Sequence, residues 1–79
     1  MVPWKGVYLM PKVDFTIITP VFNGEEYIRE TVNSVLENLD PKFTYEYLII
    51  NDGSIDKTSL ILEDFYHYPM VRIFHNKNI

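Results

Sequence analysis

Cysteine is missing altogether from the 79 residues, which excludes a disulfide scaffold and a thiolate zinc site and fits a reducing compartment. Histidine is nearly as scarce. With only His67 and His75 present, a His-rich metal centre is not available. Neither G-x-x-x-x-G-K-[ST] nor G-x-G-x-x-G occurs, so the common phosphate cradles are absent. No apolar run approaches the roughly 20 residues that a membrane span needs, and Met1–Lys12 has no continuous apolar stretch of signal-peptide length. Basic residues number 7 against 11 acidic, a net charge of −4. That balance argues against nucleic acid as a partner, because phosphate binding needs clustered Lys or Arg. The sequence contains no internal repeat and no low-complexity segment. What is there is globular: 47% hydrophobic and 15% aromatic residues, enough for one small domain. These features read as a soluble, cytoplasm-type chain.

The hydrophobic period alternates along the chain. Phe15-Thr16-Ile17-Ile18-Thr19 is a β-branched run and reads as a strand, with Pro20 ending the ladder because it has no amide hydrogen. Asn23-Gly24-Glu25-Glu26 then reads as a helix start, with Asn23 as N-cap, Glu26 completing a capping box and both acids in the first turn. Ile28, Val32, Val35, Leu36 and Leu39 recur at helical spacing, opposite Arg29, Glu30, Asn33 and Glu37, until Asp40-Pro41 closes the element. Tyr45 to Ile50 forms a second strand, with Tyr45 and Tyr47 on one face, and runs into the turn Asn51-Asp52-Gly53-Ser54. Asp56 offers a second cap for a helix with the stripe Leu60, Ile61, Leu62 and Phe65, which Pro69 stops. Val71 to Phe74 is a third strand, followed by a polar loop from His75 to Asn78.

The order β-α-β-α-β implies an α/β fold of parallel strands joined by right-handed crossovers. Such strands expect cover on both faces. In a sheet of order 3-2-1 the first strand lies at an edge, where a complete doubly wound fold would pair it with a later strand. The expectation is half a domain. Ligands of open parallel sheets bind outside the carboxyl ends of the strands. Two loops leave those ends here, Thr19-Pro20-Val21-Phe22-Asn23 and Asn51-Asp52-Gly53-Ser54. They bring an aromatic ring, a helix start, and a carboxylate beside a permissive glycine, a combination suited to a nucleobase.

At these residues the chain resembles a known family. Phe15-Thr-Ile-Ile-Thr-Pro-Val-Phe-Asn23 followed by Glu25-Glu-Tyr-Ile28 is similar to the start of family 2 glycosyltransferases. Tyr45-Glu-Tyr-Leu-Ile-Ile-Asn-Asp-Gly-Ser-Ile-Asp-Lys-Thr58 resembles the family's D-D-G-S-x-D-x-[ST] signature, and Val71 to Asn78 resembles its third strand. The resemblance implies a GT-A fold, a Rossmann-like sheet that binds a nucleotide-diphospho-sugar and transfers the sugar to an acceptor hydroxyl, as in cell wall or polysaccharide biosynthesis. It divides the chain into a leader, residues 1–12, and the first part of a GT-A domain, residues 13–79, ending before the family's metal-binding D-x-D. Met1–Leu9 reads as an extension without an assigned function.

The nucleotide-binding residues implied by the resemblance are Pro20, Val21, Phe22, Asn23, Glu25, Asp52 and Gly53, with Asp52 at the base-reading position. An ionised carboxylate only accepts hydrogen bonds, so it favours uracil, thymine or guanine over cytosine and adenine. A UDP-sugar is the first expectation, with dTDP- and GDP-sugars behind it. Asn51 stands where the family often has a first aspartate, and Phe22 replaces its usual tyrosine. Mg²⁺ or Mn²⁺ is the cofactor the family implies, but no catalytic residue and no metal ligand is assigned within this chain. It is expected not to turn over alone. The expected location is cytoplasmic, or the inner face of a membrane in the full-length protein.

Each assignment has a plainer counterpart. Asn51 to Ser54 is turn chemistry in any fold, Asp56 reads as a cap, and Phe22 serves equally as packing. Glu25 and Glu26 are by default first-turn acids. Phe65 to Tyr68 reads as core plus surface aromatics, and His67 and His75 read as solvated. The alternative function is a non-catalytic α/β interaction module whose exposed strand edge pairs with a second copy, as a homo-oligomer, or with another partner.

Overall fold

The computed structural model describes residues 12–77. The leader's Trp4 and Tyr8 lie outside the described residues. Three strands, β1 (Phe15–Val21), β2 (Tyr45–Asp52) and β3 (Val71–Asn76), alternate with helices α1 (Ile28–Glu37) and α2 (Thr58–Leu62). A 3₁₀ turn at Glu63–Phe65 extends α2. The strands form one parallel sheet in the order β1-β2-β3. This is the expected α/β, Rossmann-like arrangement, with β1 at an edge.

All three strands run further than their apolar runs suggest. β1 passes through Pro20, which pairs with Ile50, and ends at Val21 opposite Asn51. An edge strand tolerates a residue without an N–H, because one of its sides carries no ladder. β2 and β3 continue two residues past their expected ends, pairing Asn51 with His75 and Asp52 with Asn76. The turn therefore begins at Gly53, not at Asn51.

The helices are shorter at their starts. α1 begins at Ile28 with no side-chain cap, so neither the Asn23 cap nor the Glu26 capping box forms. Residues 25–27 form a turn instead, and Glu30 is the acid of the first helical turn. α1 also stops at Glu37, before Asp40. Leu60 faces solvent; Thr58 takes the buried place nearest the start of α2.

The core lies on one side of the sheet. Ile28 and Val32 of α1, Leu62 of α2 and Phe65 pack on Val21, Tyr47, Ile49 and Val71. Ile17, Val35, Leu36, Ile61 and Ile73 complete it in part. Alternation along a strand sends neighbouring residues to the other face, and there Ile18 is 58% and Phe74 47% exposed. The described helices cover one face only, in contrast to the two-sided cover expected. On the uncovered face Glu46 ties the strands together, accepting from Thr16 Oγ1 at 3.4 Å and pairing with Arg72 Nε at 3.2 Å. Tyr47 points inward, fully buried. Its hydroxyl lies 2.8 Å from Thr19 Oγ1, and burial pushes the phenol up from its ordinary 10.0 despite that bond.

Candidate nucleotide site at the strand ends

The two loops leaving the carboxyl ends of β1 and β2 are stitched together. Asn23 N–H donates to Ser54 Oγ at 2.8 Å, and Ile55 N–H donates back to Asn23 Oδ1 at 2.8 Å. Gly24 N–H donates to Thr58 Oγ1 at 2.8 Å in a buried bond. Glu25 N–H donates to Asp56 Oδ2 at 3.2 Å, while Lys57 N–H donates to Glu25 Oε1 at 2.9 Å. Side chains of each loop thus satisfy the backbone of the other. Asn23 pays for its place with φ 51°, a left-handed conformation that asparagine tolerates better than most residues.

Asp56 is the pivot of this seam. Its Oδ1 accepts from Thr58 N–H at 2.9 Å while Oδ2 accepts from Glu25. It therefore meets the first N–H of α2 from one residue ahead of the cap position, Lys57, which itself has no side-chain cap bond, and also reaches across to the first loop. Desolvation works against its ionisation, but hydrogen bonds from Thr58 side chain and backbone and from Glu25 outweigh it, holding the carboxyl below its ordinary 3.8. A depressed folded pKa adds stability above the unfolded value and loses it as pH falls through the folded one. The seam is accordingly expected to loosen only below about pH 4. Amide exchange at Glu25 and Thr58 should accelerate there ahead of the core amides; uniform acceleration would show that Asp56 is not the acid-sensitive joint.

Gly24 leaves no room for a side chain. A Cβ there would lie 2.6 Å from Val21 Cγ2 and 2.8 Å from the Tyr27 ring. Val21 is a stiff, buried residue and cannot step aside. Gly24→Ala should cost about 1–3 kcal/mol, measured as a lower urea midpoint. A midpoint equal to the wild type would mean that the loop relaxes freely.

The sequence-assigned residues separate by position. Val21 is buried in the core, so its side chain is packing. Asn23 and Glu25 are committed to the seam through Ile55 and Lys57. Gly53 is buried with φ 79°, a turn conformation that favours glycine. Pro20, Phe22 and Asp52 remain exposed. Phe22 and Asp52 each directly follow a member of the register pair Val21–Asn51, so ring and carboxylate sit at neighbouring strand ends. Asp52 shares the face of Ile50, and its Oδ1 accepts from Asn76 Nδ2 at 3.4 Å.

Two features were not legible as site elements. Thr58 and Ser54 act only because another loop folds onto them, a long-range relation without a sequence signal. His75 is exposed, as expected, yet both ring nitrogens have partners, with Nδ1 2.9 Å from Asn51 Nδ2 and Nε2 2.9 Å from the Tyr66 hydroxyl. His67 instead lies against Tyr68, ring centroids 4.2 Å apart.

Residues 16–78 match the sequence profile of glycosyl transferase family 2. The chain belongs to this family. Among its relatives, the minor teichoic acid biosynthesis protein GgaA of Bacillus subtilis is 40% identical over 57 residues, 70% of this chain and 13% of that protein. The poly(ribitol-phosphate) beta-N-acetylglucosaminyltransferase TarS of Staphylococcus aureus is 37% identical over 51 residues, 65% of this chain and 9% of TarS. The dolichyl-phosphate beta-glucosyltransferase ALG5D of Trichomonas vaginalis is 30% identical over 70 residues, 81% of this chain and 21% of the relative. The chain thus spans between about a tenth and a fifth of the lengths of these relatives.

Family 2 enzymes generally use a divalent metal. The residues described here do not fit one by themselves. Hard cations need several oxygen ligands, and no group of three or more His, Asp or Glu side chains is placed to hold an ion among the described residues. The Asp56 carboxylate and one oxygen of Glu25 are already taken by backbone N–H groups.

Proposed function

We propose that this chain is the nucleotide-holding part of a glycosyltransferase that uses a nucleotide-diphospho-sugar, with UDP-sugar as the donor. The observation that carries this reading is Asp52, an exposed carboxylate on the last residue of the central strand, at a strand end paired with the one that the exposed Phe22 follows. The carboxylate accepts a ring N–H of uracil, and the ring offers a stacking face. In the complete reaction an acceptor hydroxyl forms a bond to the anomeric carbon as the bond from that carbon to the diphosphate breaks. The hydroxyl proton passes to a base, and the electron pair leaves with the nucleoside diphosphate. Neither that base nor the metal ligands are assigned to these residues, so the chain alone binds without turning over. The names of the teichoic acid and poly(ribitol-phosphate) relatives support a polymer of that kind as acceptor, and the location that goes with this proposal is the cytoplasm or the inner face of a membrane.

Calorimetric titration of the chain with UDP, with and without Mn²⁺, tests this. Binding that is little changed by Mn²⁺ is expected. Absence of binding in a folded chain would contradict the reading, and binding that requires Mn²⁺ would contradict the account of the metal ligands. A second reading rests on the edge position of β1 and on Ile18 and Phe74, exposed on the uncovered face. It is self-association as an interaction module, and it leads if the chain sediments as a dimer and binds no UDP.

A further inference from the structure

Asn51 is 2% exposed and sits one residue before Asp52. Its Nδ2 lies 2.8 Å from Ser59 Oγ and 2.9 Å from His75 Nδ1, while its Oδ1 is buried with no partner among the described residues. This amide orientation is the cheaper of the two. As placed, both N–H groups donate and the carbonyl oxygen is left without a donor; the flipped amide would instead bury two unpaired N–H groups, which folded proteins tolerate less than an under-satisfied carbonyl. Asn51 therefore needs an acceptor at His75 Nδ1, which puts the ring proton on Nε2, where it donates to the Tyr66 oxygen at 2.9 Å. The imidazole bridges the end of β2 to the turn that follows the 3₁₀ segment, and Ser59 ties the same amide to α2.

We infer that His75 is a positioning residue for Asp52, held as the Nε2–H tautomer so that Nδ1 fixes the Asn51 amide and with it the last turn-ward residues of β2. The inference rests on the reading of Asp52 as the carboxylate that receives the base. Asn51 faces the core side, so clamping it presents Asp52 on the opposite face, next to Asn76 from the same stretch of β3. An aspartate at position 51 would accept from Nδ1–H and demand the other ring state. The asparagine of this chain and the tautomer of His75 are therefore matched.

Long-range ¹H–¹⁵N spectra of the neutral imidazoles in the labelled 79-residue chain read the tautomer directly, with His67→Gln assigning the two rings. A protonated Nε2 and an unprotonated Nδ1 are expected for His75; the reverse overturns the inference. In parallel, His75→Asn and His75→Leu are compared. An asparagine oxygen can stand where Nδ1 stands, so His75→Asn should keep the Asp52 and Gly53 amide resonances near their wild-type positions and retain UDP affinity. His75→Leu should shift both resonances and weaken UDP about ten-fold. Equal behaviour of the two variants, whether wild-type or impaired, would overturn the positioning role. If the wild-type chain binds no UDP, the proposed function fails on its own account, while the tautomer and the Asp52 and Gly53 shifts in the free chain still decide whether His75 positions this carboxylate.

Discussion

Replacing Asp52 with alanine should weaken UDP binding roughly ten- to a hundred-fold and leave the fold intact. Hydrogen bonds to a charged group are worth about 1.5–3 kcal/mol, and each 1.4 kcal/mol corresponds to about a factor of ten in affinity. Asp52 is exposed and ends its strand, so truncation creates no cavity, and the residue stands outside the seam between the two loops. Among the described residues its side chain accepts the long bond from Asn76. An unchanged melting temperature together with lost affinity is the expected pair of results. Asp52→Asn sharpens the comparison, because an amide keeps an acceptor oxygen but loses the charge; an intermediate affinity should result. Affinity unchanged in Asp52→Ala would remove the carboxylate from the site.

Ile49→Ala should have the largest effect on stability. Ile49 is fully buried on the helix-covered face of the central strand, between Thr19 of β1 and Ile73 of β3. Removing so much buried side chain costs about 2–5 kcal/mol, against a total stability of about 5–15 kcal/mol for ordinary domains. A chain this small buries proportionally less surface and lies toward the bottom of that range. The variant should be largely unfolded at ambient temperature, or show a urea midpoint lowered by a large fraction. Ile18→Ala is the matched control, one residue type on the opposite face. At 58% exposure it should change stability by no more than about 0.5 kcal/mol. Comparable losses for the two would show that the uncovered face is buried in solution, as self-association requires.

The architecture was readable because periodicity reports which residues a sheet and a helix bury. Ile28, Val32, Tyr47, Ile49, Leu62 and Phe65 were all placed on the correct elements by that signal, and the parallel direction of the strands followed from the alternation of elements. The loops were not readable in the same way. Asn23 and Glu26 carry the local signature of a helix start, yet Asn23 is taken by Ile55, a residue 32 positions away. A local cap competes with a long-range partner, and the partner wins because the second loop also satisfies Gly24 and Glu25. Pro20 misled for a related reason: an amide-less residue looks like a strand end until the strand is known to be an edge. His75 was invisible as a partner because its contacts come from β2 and from the turn at Tyr66. Among the site residues, position on the chain identified the right loops, but only the fold separates the exposed Phe22 and Asp52 from the buried Val21 and the committed Glu25.

The most direct test of the central claim is to map UDP onto the labelled chain by amide chemical shifts. The account predicts changes concentrated at Phe22, Asn23, Asp52, Gly53 and Ser54, the carboxyl ends of β1 and β2, with the uncovered face around Ile18 and Phe74 undisturbed. Changes centred on that face, or no changes at saturating UDP in a folded chain, would contradict it.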